Sequence, residues 1–533
     1  MITMQGSIES NSIEETASEL GARTANMAAS LIVAKFLSFL VLGVSFIVIA
    51  RLLQPTVYGY YTLAIAVSGF FGSFADFGIG IALTKFISEY KAKKNTGAIA
   101  SVLSDGFTVL VIGGLVFTLL SIAFSWWTAQ NVMHNISFAY LIQVASLTIV
   151  LSMLYGSSTS ALIGFGKGKL VALSTASSMV VQSVASIALA VIGFGAFAPA
   201  FGLVLGYLFG FLLSLYLIRT EMRVLKTRIV KPTTDGIKKL LLFSTPLAFV
   251  NLLGSVTSNF ATIFLGLFVV SAVIGNYGLA SRVGGLIDVG IGSVATALLP
   301  AFSVTLSGSK SKTDTAHFYN VALHSAVVFL APMIFFIAVM AKPIVYTVFG
   351  GTYTLAPLYI QIMSLGLLVG IAGAYTNMLL ISGNLVKSVL KYNIIISAIQ
   401  TALIFLLVPV LGGLGLAIVM LFVTQLLNTL IFVRKAVKAF NVKLWTGKIF
   451  RATVANIAAV SIIYPLRLAL GGNYVFLLAI SAILYVLIYP IILGILKGIS
   501  HEDLERLVRI TGKMPLFNRI VPLASQYTGI FIR

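Results

Sequence analysis

The sequence predicts an all-α polytopic membrane protein of about 14 transmembrane helices: two six-helix bundles related by an axis along the membrane normal, plus two C-terminal helices. Three observations predict it. The chain of 533 residues is 59% hydrophobic and only 9% charged, where soluble domains carry about 25% charged residues. Its apolar runs are continuous over about 20 residues instead of alternating, so helices rather than barrel strands must satisfy the backbone in lipid. Finally, two stretches about 216 residues apart are nearly the same. Gly59-Tyr60-Tyr61-Thr62-Leu63-Ala64 returns as Gly275-Asn276-Tyr277-Gly278-Leu279-Ala280, and Asp76-Phe77-Gly78-Ile79-Gly80 returns as Asp288-Val289-Gly290-Ile291-Gly292.

Residues 1–28 carry Glu9, Glu14, Glu15 and Glu19 and no basic stretch, so they do not read as a cleaved signal peptide. They are expected to be cytoplasmic or interfacial, with a polar helix over 8–28. Six spans follow near 29–50, 57–84, 104–127, 138–163, 170–193 and 197–218, forming an N-lobe over 29–218. A basic linker, 219–240, leads to a C-lobe over 241–435, with spans near 241–268, 272–302, 320–341, 355–381, 388–408 and 413–433. Two extra spans, near 450–470 and 474–496, fall in 436–496. The basic tail 497–533 is expected to be cytoplasmic, with an amphipathic helix over 500–512.

The net charge of +21 does not indicate nucleic acid, because of where the cations fall. With the N-terminus inside, 28 of the 35 Lys and Arg lie in inner loops or the tail, and only Arg51, Lys342 and Arg467 lie outside. That bias predicts an even number of spans with both termini in the cytoplasm, in the cytoplasmic membrane. Trp126-Trp127 reads as an interfacial anchor before the longest outer loop, which holds the sequon Asn135-Ile136-Ser137. With no cysteine and four scattered histidines, neither a disulfide nor a metal site is expected, and no cofactor.

The repeat runs further. Tyr140-Leu141-Ile142-Gln143 matches Tyr359-Ile360-Gln361, Ala161-Leu162-Ile163 matches Leu379-Leu380-Ile381, and both copies end in a basic exit, at Arg219 and at Arg434-Lys435. Six spans per copy is an even number, so the copies share orientation, as in transporters built from parallel repeats around a substrate path.

The pattern Arg51-Leu52-Leu53-x-Pro55-x-x-Tyr58-Gly59-x-Tyr61-x-Leu63-Ala64, then Asp76-x-Gly78-Ile79-x-x-Ala82, resembles the start of the polysaccharide flippases. Gly275-x-Tyr277-x-Leu279-Ala280-x-Arg282, running to Leu299-Pro300, resembles their seventh and eighth helices. These are O-antigen and lipid-linked-oligosaccharide exporters of the multidrug/oligosaccharidyl-lipid/polysaccharide (MOP) superfamily. The resemblance spans residues 25–495. It implies a non-enzymatic transporter whose two lobes enclose a cavity open alternately to each side. The partners it implies are the lipid bilayer, a polyprenyl-diphosphate-linked glycan and, as in ion-driven relatives, H+ or Na+ as coupling ion.

A charge at mid-bilayer costs about 2.5–3.5 kcal/mol on insertion scales, so such residues face water or a partner. Arg282 lies about 15 Å into the eighth span, where its guanidinium can grip a diphosphate or form a structural ion pair. Lys35 lies about 9 Å into the first span, as a second anion site or a snorkelling cation. Asp76 and Asp288 are the duplicated carboxylates. They can carry a proton or cation, pair with Lys35 or Arg282, or cap a helix at a bend, and duplication favours a feature of structure that both copies share. Arg282 and Asp288, six apart, should not pair with each other. Arg51 and Lys85 read as interface anchors, Asp105 as a cap at the start of the third span, and Tyr61 and Tyr277 as packing rather than sugar platforms. Asn251, Asn259, Gln361 and Asn377 can bond hydroxyls or glue helices. Pro246 and Pro300 are candidate bend points.

Two alternatives remain on the sequence. A drug/cation antiporter of the same superfamily would have 12 spans and an acidic cavity; the extra spans, Arg282 and Lys35 argue against it. A membrane enzyme of glycan assembly would carry a large outer loop or acidic metal ligands, and would leave the repeat unexplained.

Overall fold

In the computed structural model the described residues are 41–225, 230–307, 312–442, 445–466, 473–500 and 528. The N-terminal polar segment, the start of the first predicted span and the amphipathic tail helix lie outside them. Every regular element among the described residues is helical, and twelve helices are long and apolar enough to cross a membrane. The chain divides into two compact units, Met1–Leu267 and Phe268–Arg533.

The first unit opens with α1 (Val41–Ala75). This run takes in parts of two predicted spans. Gln54 interrupts it with a left-handed φ of 58°, and Pro55 follows, the usual signature of a helix stop. α2 (Ile79–Ala92) begins after a break at Asp76 and Phe77, so the predicted span 57–84 is split near its C-terminal end. α3 (Thr96–Asn131) is about 54 Å long, well beyond a hydrocarbon core of about 30 Å. Asn95 caps it by accepting from the Ala98 N–H at 3.0 Å. A 3-10 turn, Ile136–Phe138, leads to α4 (Ala139–Gly164), followed by α5 (Gly168–Ile192), α6 (Phe197–Val224) and α7 (Thr234–Gly266). The first turns of α7 carry Asp235, Lys238 and Lys239, and from Leu240 to Gly266 its sequence has no charged residue.

Small residues at i, i+4 spacing bring α5 and α6 together. Gly202, Gly206, Gly210 and Ser214 on α6 oppose Ser186, Gln182, Ser178 and Ser174 on α5. Ser178 Oγ donates to the Gly206 carbonyl at 2.7 Å, and the Ser174 and Ser214 hydroxyls lie 2.7 Å apart. In lipid, where apolar contact gives no advantage over the solvent, such close approach and hydrogen bonding hold helices together. A Cβ on Gly206 would lie 2.6 Å from Gln182 Cβ and 3.1 Å from the Ser178 carbonyl oxygen. Gly206→Ala is therefore expected to destabilise the first unit by about 1–3 kcal/mol, read as a lower melting temperature by tryptophan fluorescence in detergent.

The second unit comprises α8 (Ser271–Ala297), α9 (Leu299–Ser307), α10 (Lys312–Val339), the short α11 (Ala341–Val348), α12 (Ala356–Ser382) and α13 (Val386–Leu411). Then come α14 (Gly413–Ala417), a π-helical turn over Ile418–Val423, α15 (Thr424–Phe440), α16 (Thr446–Ile463) and α17 (Tyr474–Ile495). Thr424 Oγ1 donates to the Val419 carbonyl at 2.7 Å, five residues back, filling an acceptor inside the π turn. The core of this unit joins Ile287 and Ile291 of α8, Tyr319 of α10, Tyr375 of α12, Phe432 of α15 and Tyr489 of α17.

The repeated motif does the same structural job twice with different chemistry. Tyr60 stacks on Phe138, the residue preceding α4, with ring centroids 3.8 Å apart. At the matching position Asn276 accepts from the Leu355 and Ala356 N–H groups at 3.0 and 2.9 Å, satisfying the first turn of α12. Asn276→Ala is expected to cost about 1–2 kcal/mol of stability in the same melting assay, and Asn276→Ser less.

Candidate functional site

The sequence-predicted site residues divide between the two units. Lys35, and the side chains of Pro246, Asn251 and Pro300, lie outside what the structure describes. Asp76 sits in the first unit at the α1–α2 break, exposed. One of its carboxylate oxygens accepts from the Gly78 N–H at 2.9 Å, closing a turn around left-handed Gly78, whose φ is 70°. α7 presses against this turn: a Cβ at Gly78 would lie 2.9 Å from the Ser244 carbonyl oxygen and 3.1 Å from Ala248 Cβ.

Asp288 behaves otherwise. α8 runs without a break from Ser271 to Ala297, so the second copy of the Asp-x-Gly-Ile motif is plain helix. The expectation that both copies keep one shared structural feature at this position is overturned. In the second unit the chain turns later, at Leu298, just ahead of Pro300 in sequence.

The two halves of α8 differ. From Ile274 to Ala280 every residue is buried. From there on, burial contracts to a single stripe, Ala280, Gly284, Ile287, Ile291 and Ala295, at spacings of three and four. Arg282, Gly285, Leu286, Val289, Ser293 and Thr296 lie on the opposite face and all are exposed. At about 100° per residue, Arg282 points directly away from the buried stripe and Asp288 flanks it. Asp288 is exposed, and among the described residues its carboxylate makes no hydrogen bond or ion pair. Gly285, Gly290 and Gly292 have no atom within 4 Å of where a Cβ would sit. Ser293 and Thr296 donate to the Val289 and Gly292 carbonyls at 2.7 Å each, leaving hydroxyl lone pairs turned outward.

The first unit has a comparable open face on each of two helices. On α4, Gly156 is exposed with nothing near its Cβ position, and Ser152, Thr159 and Ser160 lie beside it. On α7, Gly254, Ser255 and Ser258 are exposed, while Ala261 and Leu265 pack inward. Sequence reasoning missed these faces. Their signal is serine, threonine and glycine at spacings of three and four inside an otherwise apolar span. Hydroxyls exposed within a span donate back to their own helix and keep acceptor lone pairs open to water or a ligand.

Other candidates resolve into structure. Tyr61 and Tyr277 are 7% and 4% exposed, too enclosed to stack on a sugar. Asn259 donates to the Ser255 carbonyl at 2.9 Å and lies against Gly69 of α1, which makes it helix glue. Lys85 Nζ stands 4.0 Å from the centre of the Phe243 ring, an anchoring cation–π contact. Asp105 does not start the third span; it is ten residues inside α3, and the helix it holds is α7. Among the described residues no group of three or more His, Cys, Asp or Glu could hold a metal ion.

A profile of the polysaccharide biosynthesis protein family matches residues 25–306, more than half of the chain. The chain belongs to this family. Its fold is that of the MOP transporters. The lipid II flippase MurJ, in an inward closed conformation, superposes with a TM-score of 0.67 at 16% identity, covering 87% of this chain and 98% of that one. An inward-facing multidrug resistance MATE family transporter of the MOP superfamily gives 0.64 at 16% identity, covering 76% and 95%. A MOP superfamily transporter from Pyrococcus furiosus gives 0.53 at 15% identity, covering 79% and 96%. A search of curated protein sequences finds no match. This family member is thus a multi-pass membrane protein with a transporter fold.

Proposed function

We propose that this protein flips a polyprenyl-diphosphate-linked oligosaccharide across the cytoplasmic membrane by alternating access, with both termini in the cytoplasm. The observation that carries the reading is Arg282: a permanent cation deep in a span, exposed on the face of α8 opposite its buried stripe, a face that also carries hydroxyls and glycines. Such a face suits a diphosphate and the oligosaccharide that follows it. The guanidinium supplies parallel N–H donors, the hydroxyls of Ser293 and Thr296 offer sugar contacts, and glycines leave room for bulk. The family supports a glycan substrate, and the MurJ likeness supports a lipid-linked one. Lys35 is proposed as a second anion contact and Asp288 as the carrier of a coupling H+ or Na+. Asp76, already bonded to Gly78, is assigned to structure.

The test is flipping of a fluorescent polyprenyl-diphosphate oligosaccharide in liposomes that contain the purified protein. Protein-dependent loss of accessible probe is expected. Flipping at the rate of empty liposomes, across several polyprenol lengths and with H+ and Na+ gradients applied, overturns the reading.

A second reading, ion-coupled export of a drug or other cation, is favoured by the Asp288 carboxylate, exposed beside the buried stripe of α8 and without a hydrogen bond or ion pair among the described residues. Gradient-driven efflux of a cationic dye, abolished by Asp288→Asn and unaffected by Arg282→Ala, is the result that would select it.

A further inference from the structure

A second feature of the first unit is unrelated to these open faces. Residues of α3 and α6, with Leu154 of α4, line a cavity of about 650 Å³, within the usual range of small-molecule sites, roughly 300–1,000 Å³. Its floor is apolar, with Phe107, Val111 and Ile112 on α3 and Phe211 and Leu215 on α6. Its other end is cationic, lined by Arg219 and Arg223 of α6 together with Ser104 of α3. From Phe211 to Arg219 the helix rises about 12 Å and to Arg223 about 18 Å, which brackets the roughly 15 Å depth of one leaflet.

Among the described residues no carboxylate cancels the charge at this end of the groove. Glu221, between the two arginines in sequence, is held by Lys167 Nζ at 2.8 Å. Asp105 on the neighbouring turn of α3 is buried and bonded to Thr233. Arg219 and Arg223 are exposed, and among the described residues neither makes an ion pair or hydrogen bond.

We propose that this groove binds one anionic phospholipid of the surrounding bilayer, with an acyl chain along Phe107 and Phe211 and the phosphate on Arg219 and Arg223. The apolar floor selects a lipid over a soluble anion. Two guanidinium groups one helical turn apart select a headgroup of net negative charge over a zwitterionic one, whose own cation competes for the phosphate. The groove ends at the linker that follows α6, so the lipid occupies the leaflet on the linker side. The inference does not depend on what the transporter carries.

The experiment is native mass spectrometry of the purified protein, titrated with phosphatidylglycerol or with phosphatidylcholine of the same acyl chains. The expected result is one phosphatidylglycerol retained about tenfold more tightly than phosphatidylcholine. In the Arg219→Gln/Arg223→Gln double variant the preference falls to about parity. Thr108→Trp, which fills the groove and leaves both charges in place, is expected to remove the retained lipid as well. Melting temperatures identify any variant that fails to fold, and because the two variants alter different parts of the groove, either one suffices. Equal retention of the two lipids by the wild type, or undiminished phosphatidylglycerol retention by a folded variant, overturns the proposal. So does retention of inorganic phosphate as tight as that of the lipid, which would mark an anion site without a lipid.

Discussion

Replacing Arg282 by Ala is expected to lower protein-dependent flipping of a diphosphate-linked oligosaccharide by at least about 100-fold while leaving folding intact. The size follows from the chemistry. A guanidinium–phosphate pair makes charge-assisted hydrogen bonds worth about 1.5–3 kcal/mol each, and two of them correspond to about two or more decades of rate or affinity. Arg282→Lys keeps the charge and loses the planar fork, so partial activity is expected. Folding is spared because Arg282 projects from the open face of α8, opposite the stripe Gly284, Ile287, Ile291 and Ala295 that holds the helix in its unit. Substitution at an exposed position away from such packing usually changes stability by less than about 0.5 kcal/mol. Full flipping by a folded Arg282→Ala protein would remove the diphosphate grip and leave the glycan reading to stand on the family alone. The companion variant Asp288→Asn separates roles. If Asp288 carries the coupling ion, flipping down the substrate gradient persists and its dependence on an H+ or Na+ gradient disappears.

The fold class was legible because it rests on quantities that a sequence carries directly: low charge, span-length apolar runs and the duplication. Local conformation within the repeat was not. Asp76-Phe77-Gly78-Ile79 and Asp288-Val289-Gly290-Ile291 share a pattern, yet the first is a turn and the second is helix. The difference comes from a neighbour. α7 presses on Gly78 at the Ser244 carbonyl and Ala248, whereas nothing approaches Gly290 or Gly292. A sequence shows the glycine but not which helix will lie against it. The end of the first span had a readable signal in Pro55, but the left-handed residue before it is Gln54, a side chain with no strong preference for that conformation. α11 was missed because eight residues at the edge of an apolar span do not stand out in a window of span length. The candidate site was legible in its charges and illegible in its surface. Arg282 and Asp288 stood out as costly residues, while the open faces of α4, α7 and α8 consist of glycine, serine and threonine. Those residues occur equally in packed contacts, as the α5–α6 seam demonstrates.

Asp105 illustrates the same limit and gives the second large expected effect. Its carboxylate is 1% exposed and accepts from the Thr233 N–H at 2.6 Å and from Ser101 Oγ at 3.1 Å. Thr233 caps α7, its own Oγ1 accepting from the Gly236 N–H at 3.2 Å. Gly236 must be glycine for the first turn of α7 to come this close to Asp105. A buried carboxylate at a helix N-terminus is thus the bolt between α3 and the helix that follows the basic linker. Asp105→Ala strands the Thr233 N–H and removes the charge facing the end of α7, at an expected cost of about 2–4 kcal/mol. Asp105→Asn keeps an acceptor for that N–H and is expected to cost about half as much. Because the chain has no cysteine, a single Lys238→Cys label on the exposed side of α7 reports the first turns without interference. In Asp105→Ala the label is expected to gain mobility and the amides of 233–240 to exchange faster, with the α5–α6 seam still protected. Unchanged label mobility beside a normal melting temperature would mean that α7 is held by its packing on Gly78 and that the bolt is redundant.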